Sequence, residues 1–248
     1  MTLADTTHRP WPVPKQPWIL NMEWHDLLFM HWPIRGEMLR PYIPAALTLD
    51  MFDGNAWIGV VPFQMRGVRP RLLPALPMLS AFPELNVRTY VTAEGKPGVW
   101  FFSLDAGNPV AVEMARDVFH LAYYNARMSC QLVNGNVQYS SVRTHHNSRP
   151  AAFQGHYRPT GAVYRSTAGT LEHWLTERYC LYAANRQGQV WRGDIHHARW
   201  PLQPAEAEIG RNTMTEQIGL RLPATKPILH FARYLDVVGW WPQQVKQR

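Results

Sequence analysis

Glu84, Asn86, Arg88 and Tyr90 fall at alternate positions of Glu-Leu-Asn-Val-Arg-Thr-Tyr-Val (84–91). That spacing puts side chains on one face of a strand. A second segment, Val99 to Asp105, follows across Glu94-Gly95-Lys96-Pro97-Gly98, which reads as a hairpin loop. Pairing Leu85, Val87, Thr89 and Val91 with Trp100, Phe102 and Leu104 makes one face almost wholly apolar, and its burial would fix the register. The opposite face then carries Glu84, Asn86, Arg88 and Tyr90 beside Phe101, Ser103 and Asp105, with Ser103 near Arg88 and Asp105 near Asn86. Along the strand Glu84 and Arg88 lie about 13 Å apart, too far to pair, so each needs a cross-strand partner or a ligand. An open sheet would turn this face to water, and a closed one would make it the lining of a lumen. Two aromatic rings on it, Tyr90 and Phe101, favour the lumen.

A second group stands at a helix end, Ala115 to Tyr124. Arg116 and His120 are four residues apart on one helical face, and Tyr123 and Tyr124 follow where the helix should stop. Neighbours in the extended segment expected there point to opposite sides, so of the two cavity candidates Tyr123 comes first and Tyr124 second. A solvated charged face with a packed aromatic corner is the plain alternative.

Other chemistries find little support. His145-His146 and His196-His197 are adjacent pairs, and strand neighbours point oppositely, so neither pair easily shares a metal. There is no His-Glu-x-x-His, no Gly-x-Ser-x-Gly elbow and no glycine-rich phosphate loop. Lysine occurs only at 15, 96, 226 and 246, in the arm, at a hairpin tip, before a proline and at the tail. A Schiff-base amine must be desolvated or crowded by another cation, and none of these positions promises that.

The elements that must position these residues are mostly strands. Residues 1–18, with Pro10, Pro12, Pro14 and Pro17, read as an extended arm outside the core. Trp24–Pro33 reads as the first strand, and Gly36–Tyr42 as a turn or two of helix. Leu47–Met51 and Trp57–Met65 read as a hairpin about Asp53-Gly54. Residues 66–83, interrupted by Pro70, Pro74, Pro77 and Pro83, read as a long surface loop. Pro109–Leu121 is the clearest helix: Asn108 caps it, Pro109 opens it, and Val110, Met114, Val118 and Leu121 form an apolar stripe. A shorter helix runs from Thr170 to Arg178. Further hairpins are expected at 128–133 with 137–142 and at 179–184 with 190–195, before a closing strand at 228–238.

Composition agrees with such a fold. Of 248 residues, 46% are hydrophobic and 17% charged, enough apolar material for a core and too little net charge density for a disordered chain. Eleven Trp, ten Tyr and nine Phe suit β structure. The net charge of +7 is spread out; Arg66, Arg69 and Arg71 form the only tight basic cluster, which argues against a nucleic-acid partner. Cys130 and Cys180 are far apart and read as free thiols of a reducing compartment. With no apolar leader and no run near the ~20 residues of a membrane span, the expected location is cytoplasmic.

The segments Leu-Leu-Phe-x-His-Trp (27–32), Leu-Asp-Met-Phe-Asp-Gly (49–54), 84–91, Gly-Val-Trp-Phe-Phe-Ser-Leu-Asp (98–105), Thr-Leu-Glu-x-Trp-Leu-Thr-Glu-Arg-Tyr (170–179) and His-x-x-Trp-Pro-Leu (197–202) resemble the YqjF-like family of bacterial proteins. The likeness covers nearly the whole chain after the arm. That family is remotely similar to the acetoacetate decarboxylases, whose fold is a cone-shaped β-barrel with a central cavity. Their lysine motif, laid on this chain, begins at Ala115-Arg116-Asp117 and ends at Ala122-Tyr123-Tyr124. Both lysine positions are therefore tyrosines, and Glu84 resembles the cavity glutamate of the preceding hairpin.

These readings give a mainly-β, cone-shaped antiparallel barrel with two or three helices, spanning 19–248 as one domain. Its cavity would be lined by Glu84, Arg88, Tyr90, Arg116, Tyr123 and Tyr124. Glu84 and Tyr123 are the catalytic candidates, while Arg88, Tyr90, Arg116 and Tyr124 would bind a small anionic or oxo-acid ligand. No cofactor and no metal are expected, and a homo-oligomer remains open. Acid–base chemistry of a lyase or isomerase kind is one function; a binding or sensing barrel that kept the cavity without the chemistry is the other.

Overall fold

The computed structural model describes residues 4–76 and 79–246. The start of the arm (1–3) and Pro77 of the proline-rich loop lie outside the described residues. The chain opens with β1 (Leu20–Ile34), α1 (Gly36–Leu39), β2 (Thr48–Leu49) and β3 (Ala56–Pro70). β4 (Phe82–Ala93), β5 (Lys96–Ala106), α2 (Pro109–Phe119), β6 (Tyr123–Val133) and β7 (Asn136–Arg143) follow. Then come β8 (Ala152–Pro159), α3 (Leu171–Thr176), β9 (Cys180–Ala184), β10 (Val190–His197), β11 (Leu202–Asn212), β12 (Ile228–Gly239) and β13 (Gln243–Gln244).

The protein is mainly β, and among the described residues its strands join in one thirteen-stranded sheet. Pairing passes from β4 to β5, β9, β10, β12, β1 and β3, and from β3 returns to β4, so these strands complete a circuit. β6, β7, β8 and β11 form a second run that leaves the circuit at β5 and rejoins it at β12. Most neighbours are antiparallel; β5 is parallel to both β6 and β9. Among the described residues no helix is long and apolar enough to cross a membrane.

Several elements differ from the sequence reading. β3 continues to Pro70, so the proline-rich segment is strand for its first part. The Asp53-Gly54 turn forms, with φ of 49° and 75°, as a primed turn requires. Its flanks diverge, however, and β2 pairs with β4, not β3. The strands β8 and β11 carry no strong turn signal of their own and were not foreseen. The arm is not detached: Arg9 is buried with its guanidinium 4.9 Å from the Tyr179 ring, Trp11 donates to Asp194 at 2.9 Å, and Trp240 donates to the Gln16 carbonyl at 2.7 Å. A buried Asp194 needs donors, and the arm supplies one.

Asn108 caps α2 as expected, accepting from the Val110 and Ala111 amides at 3.1 and 3.2 Å. The apolar stripe is another matter. Val110, Met114 and Val118 are exposed, and the helix turns Val112 into the core, with Ala111, Ala115 and Phe119 toward the interior of the strand circuit.

Candidate functional site

The β4–β5 register decides what faces inward. Leu85 pairs with Asp105 and Val87 with Ser103, but Arg88 pairs with Phe101. Phe102 is thus an extra residue in β5, a β-bulge, and it reverses the parity of the strand on either side. Leu104, Phe101 and Val99 therefore share the inner face with Glu84, Asn86 and Arg88. Ser103 and Asp105 are turned to the other face, contrary to the simple alternation. There Arg143 holds Asp105 in a fork, Nε to Oδ2 at 2.9 Å and Nη2 to Oδ1 at 2.5 Å, and Gln217 donates to Ser103 at 2.5 Å.

Inside the circuit lies a cavity of about 210 Å³. Its walls are largely apolar, from β1, β3, β5 and α2, and its polar groups come from few places. Glu84 and Tyr123 meet on one wall. The Tyr123 hydroxyl donates to Glu84 Oε2 at 2.8 Å, and Glu84 is only 3% exposed. Burial, only partly offset by that hydrogen bond, pushes the Glu84 carboxyl up to about 8, so it is protonated at neutral pH. The same enclosure and the neighbouring carboxylate raise the Tyr123 phenol well above its ordinary value. Tyr123 is set by its backbone: it is the first residue of β6, paired in parallel with Leu104, and Arg116 donates to its carbonyl at 2.6 Å.

Arg88 stands at the far end of the same strand face. Gly59 is opposite it, and a Cβ there would lie 3.0 Å from the His31 ring and 3.3 Å from Arg88 Cγ, so glycine makes room for both side chains. Arg88 donates to the Leu175 carbonyl at 3.2 Å and to the Tyr90 hydroxyl at 3.3 Å, and its guanidinium lies 5.0 Å from the Phe29 ring. Tyr90 donates to the Leu175 carbonyl at 2.8 Å, leaving His31 Nε2, 2.6 Å away, to supply the proton of that contact. Burial and the charge of Arg88 keep His31 neutral, as that arrangement needs.

A second arginine joins this end. Arg178 pairs with Asp50 at 2.6 Å, donates to the Trp174 carbonyl at 2.7 Å, and places its guanidinium 4.8 Å from the Tyr90 ring. Two guanidinium groups thus flank one tyrosine ring, and Asp50 answers only Arg178. Arg88 has no carboxylate partner among the described residues. Arg88 Nε, Arg178 Nη2 and the indole Nε1 atoms of Trp24, Trp191 and Trp200 are buried donors without a protein partner. Among the described residues, Asn86 Oδ1 is the one cavity-lining acceptor in that condition.

Of the six residues singled out from sequence, Glu84, Arg88 and Tyr123 line the cavity. Tyr90 lies behind Arg88, covered by α3, with Trp174 4.7 Å from its ring. Arg116 acts on the Tyr123 backbone. Tyr124 is on the other side of β6, its ring 4.0 Å from the Arg143 guanidinium and edge-on to His145. Sequence reasoning did not select Arg178, His197 or Trp200. Their signal was present in Glu-Arg-Tyr (177–179) and His-x-x-Trp (197–200), where polar residues follow a short helix and end a strand. Glu177 organises that corner by accepting from the Trp200 amide at 3.0 Å and from the Tyr179 hydroxyl.

This architecture has solved counterparts. The enduracididine biosynthesis enzyme MppR, complexed with the condensation product of pyruvate and imidazole 4-carboxaldehyde, superposes with a TM-score of 0.62 at 10% identity, covering 94% of this chain and 91% of that one. Acetoacetate decarboxylase from Legionella pneumophila gives 0.61 at 10% identity over 97% and 94%. An acetoacetate decarboxylase-like enzyme from Sphingomonas wittichii RW1 gives 0.60 at 12% over 97% and 98%. The fold is therefore of the acetoacetate decarboxylase-like kind. Within it, residues 21–236 match the DUF2071 family, described as an uncharacterized conserved protein, and the chain belongs to that family. It is 46% identical over 228 residues to the uncharacterized protein YqjF of Bacillus subtilis, covering 92% of this chain and 93% of that one.

Proposed function

We propose that the strand circuit is a cone-shaped barrel whose cavity binds a small carboxylate, and that Glu84 and Tyr123 carry out acid–base chemistry on it without a cofactor. One observation carries this reading above the rest: Arg88 is a buried cation on the cavity wall with no carboxylate to answer it among the described residues. A buried unpaired charge is costly, and a ligand anion on the cavity side would match it through a fixed fork of donors. The cavity is below the ~300–1,000 Å³ of drug-sized sites, which suits a metabolite.

In this reading Glu84 delivers or removes a proton beside a ligand carbonyl, and the Tyr123 hydroxyl turns its single proton from Glu84 to the ligand oxygen on which negative charge develops. With its carboxyl near 8, Glu84 is a general acid below that pH and a general base above it. None of the four lysines lines the cavity, so the reaction does not pass through a Schiff base. The structural relatives named for acetoacetate and pyruvate support an oxo-acid as the ligand class. The substitution of tyrosines for both lysines supports the second reading, a barrel that binds and does not turn over.

Tyr123→Phe separates the two. Turnover of a panel of oxo-acids followed by NMR should fall about tenfold or more, with affinity nearly unchanged, if Tyr123 stabilises a transition state. A loss of affinity alone would make the protein a binder. No change in either would remove Tyr123 from the site.

A further inference from the structure

We infer that the ligand is an amphipathic acid, with its carboxylate at the closed arginine end and an apolar tail running to the open end of the cavity. The inference rests on the carboxylate reading above and adds the chemistry of the rest of the molecule.

The register shows where the polar groups lie. Arg88 is level with Gly59 on β3 and Phe101 on β5, and Arg178 lies nearby, where both guanidinium groups reach the Tyr90 ring. That end is shut by α3, whose Leu175 is fully buried and whose Leu175 carbonyl holds Arg88 and Tyr90. Two residues back along β4 is Asn86, and two further is Glu84, level with Phe63 and joined to Tyr123. Beyond Glu84 the strand face has no further ionisable group. Phe82 comes next, level with Met65 of β3, which pairs with Trp24 of β1. Past that level the cavity wall includes Met22, Leu20, Val68 and Ile195, with Met114 of α2 at the rim. Asp194 and His197 of β10 also line the cavity, but Asp194 is held by Trp11 and Arg192, and His197 contacts the Ala198 and Arg178 carbonyls.

The ends also differ in access. Arg88 and Arg178 are buried, whereas Leu20, Met22 and Val68 are half-buried and Met114 is 57% exposed. The opening is therefore mostly apolar. A small hydrophilic acid would use only the inner half and leave the outer half as exposed apolar surface. A tail of hydrocarbon or aryl character would cover it, and its removal from water would add to affinity in proportion to its length. With about 13 Å between Arg88 and Glu84 along the strand, the part of the ligand that passes Glu84 and Tyr123 would lie several carbons from the carboxylate.

The experiment is a calorimetric titration of the full chain with straight-chain monocarboxylates from acetate to decanoate, each matched by its primary amide. The dissociation constant should fall about fourfold per added methylene until the tail reaches the rim, with carboxylates bound at least tenfold more tightly than amides. Met114→Glu, an exposed position that leaves the core alone, should weaken the longer acids about tenfold and leave butyrate unaffected; Met22→Gln, at a half-buried wall position, tests the same stretch of tail. Affinity independent of length, with carboxylates still preferred, would overturn the tail and spare the anion site. Length dependence with amides bound as well as acids would overturn the role of Arg88. Binding of no member of either series would overturn both.

Discussion

Two carboxylates are buried in the β4–β5 hairpin, one on each strand and one on each side of it. Asp105 is fully enclosed and meets the Nε and Nη2 of Arg143. Glu84 is nearly as enclosed and meets only a tyrosine hydroxyl. Burial raises both carboxyls, but the guanidinium pulls Asp105 back, whereas nothing of comparable strength acts on Glu84. The Phe102 bulge produces the difference, since without it both acids would face the same way. A carboxylate with a guanidinium fork ties strands together; one left to a phenol keeps its proton and can exchange it at neutral pH. Mutations that exchange or remove these partners should therefore affect stability on one face and chemistry on the other.

The largest expected effect is the pH dependence of stability at Glu84. Its folded value near 8 lies above the ordinary 4.5, so the folded chain holds a proton that the unfolded chain has released between those values. The Glu84 contribution is fully present below about 4.5 and declines as pH rises toward 8. At about 1.36 kcal/mol per pH unit the full difference is on the order of 5 kcal/mol. Glu84→Gln stays neutral and should flatten that slope, so urea unfolding at pH 9 should find the variant more stable than the parent. Equal slopes for parent and Glu84→Gln between pH 5 and 8 would mean that Glu84 titrates as an ordinary carboxyl.

Next is the latch. Arg143→Met leaves Asp105 buried without its cation, and breaking such a pair from one side costs about 3–5 kcal/mol. Part of the loss should return as pH falls, because Asp105 can then take a proton, and ligand binding in the cavity should be unaffected. Equal stability of variant and parent at pH 7 in urea unfolding would show that the fork contributes nothing.

How far the sequence carried this contrast depends on what each feature needed. Alternation along 84–91 placed Glu84, Asn86 and Arg88 together because strand parity is local. The Asn108 cap, the hairpins of β6 with β7 and of β9 with β10, and β12 were legible for the same reason. The bulge at Phe102 was not, since two adjacent phenylalanines fit either face and only the packing of the whole sheet selects one. Arg178 could not be assigned, because its partner Asp50 is 128 residues away. The α2 stripe misled because apolar periodicity marks a face without saying what covers it.

The smallest effect expected is at Tyr124, and it tests whether adjacent tyrosines have separate duties. Tyr123 pairs with Leu104 and Tyr124 with Asp105, so the two rings inherit the two faces of β5. The Tyr124 ring lies 4.0 Å from the Arg143 guanidinium, close enough for cation–π attraction. Tyr124→Phe keeps the ring and should change stability by less than about 0.5 kcal/mol, as surface-like substitutions do. Tyr124→Leu removes the π face and should cost about 0.5–2 kcal/mol in urea unfolding. Neither variant should alter cavity affinity or turnover, whereas Tyr123→Phe should leave the latch intact and act only in the cavity. If Tyr124→Phe changed ligand affinity as much as Tyr123→Phe, the division of the two faces would fail, and the cavity would have to extend across β6.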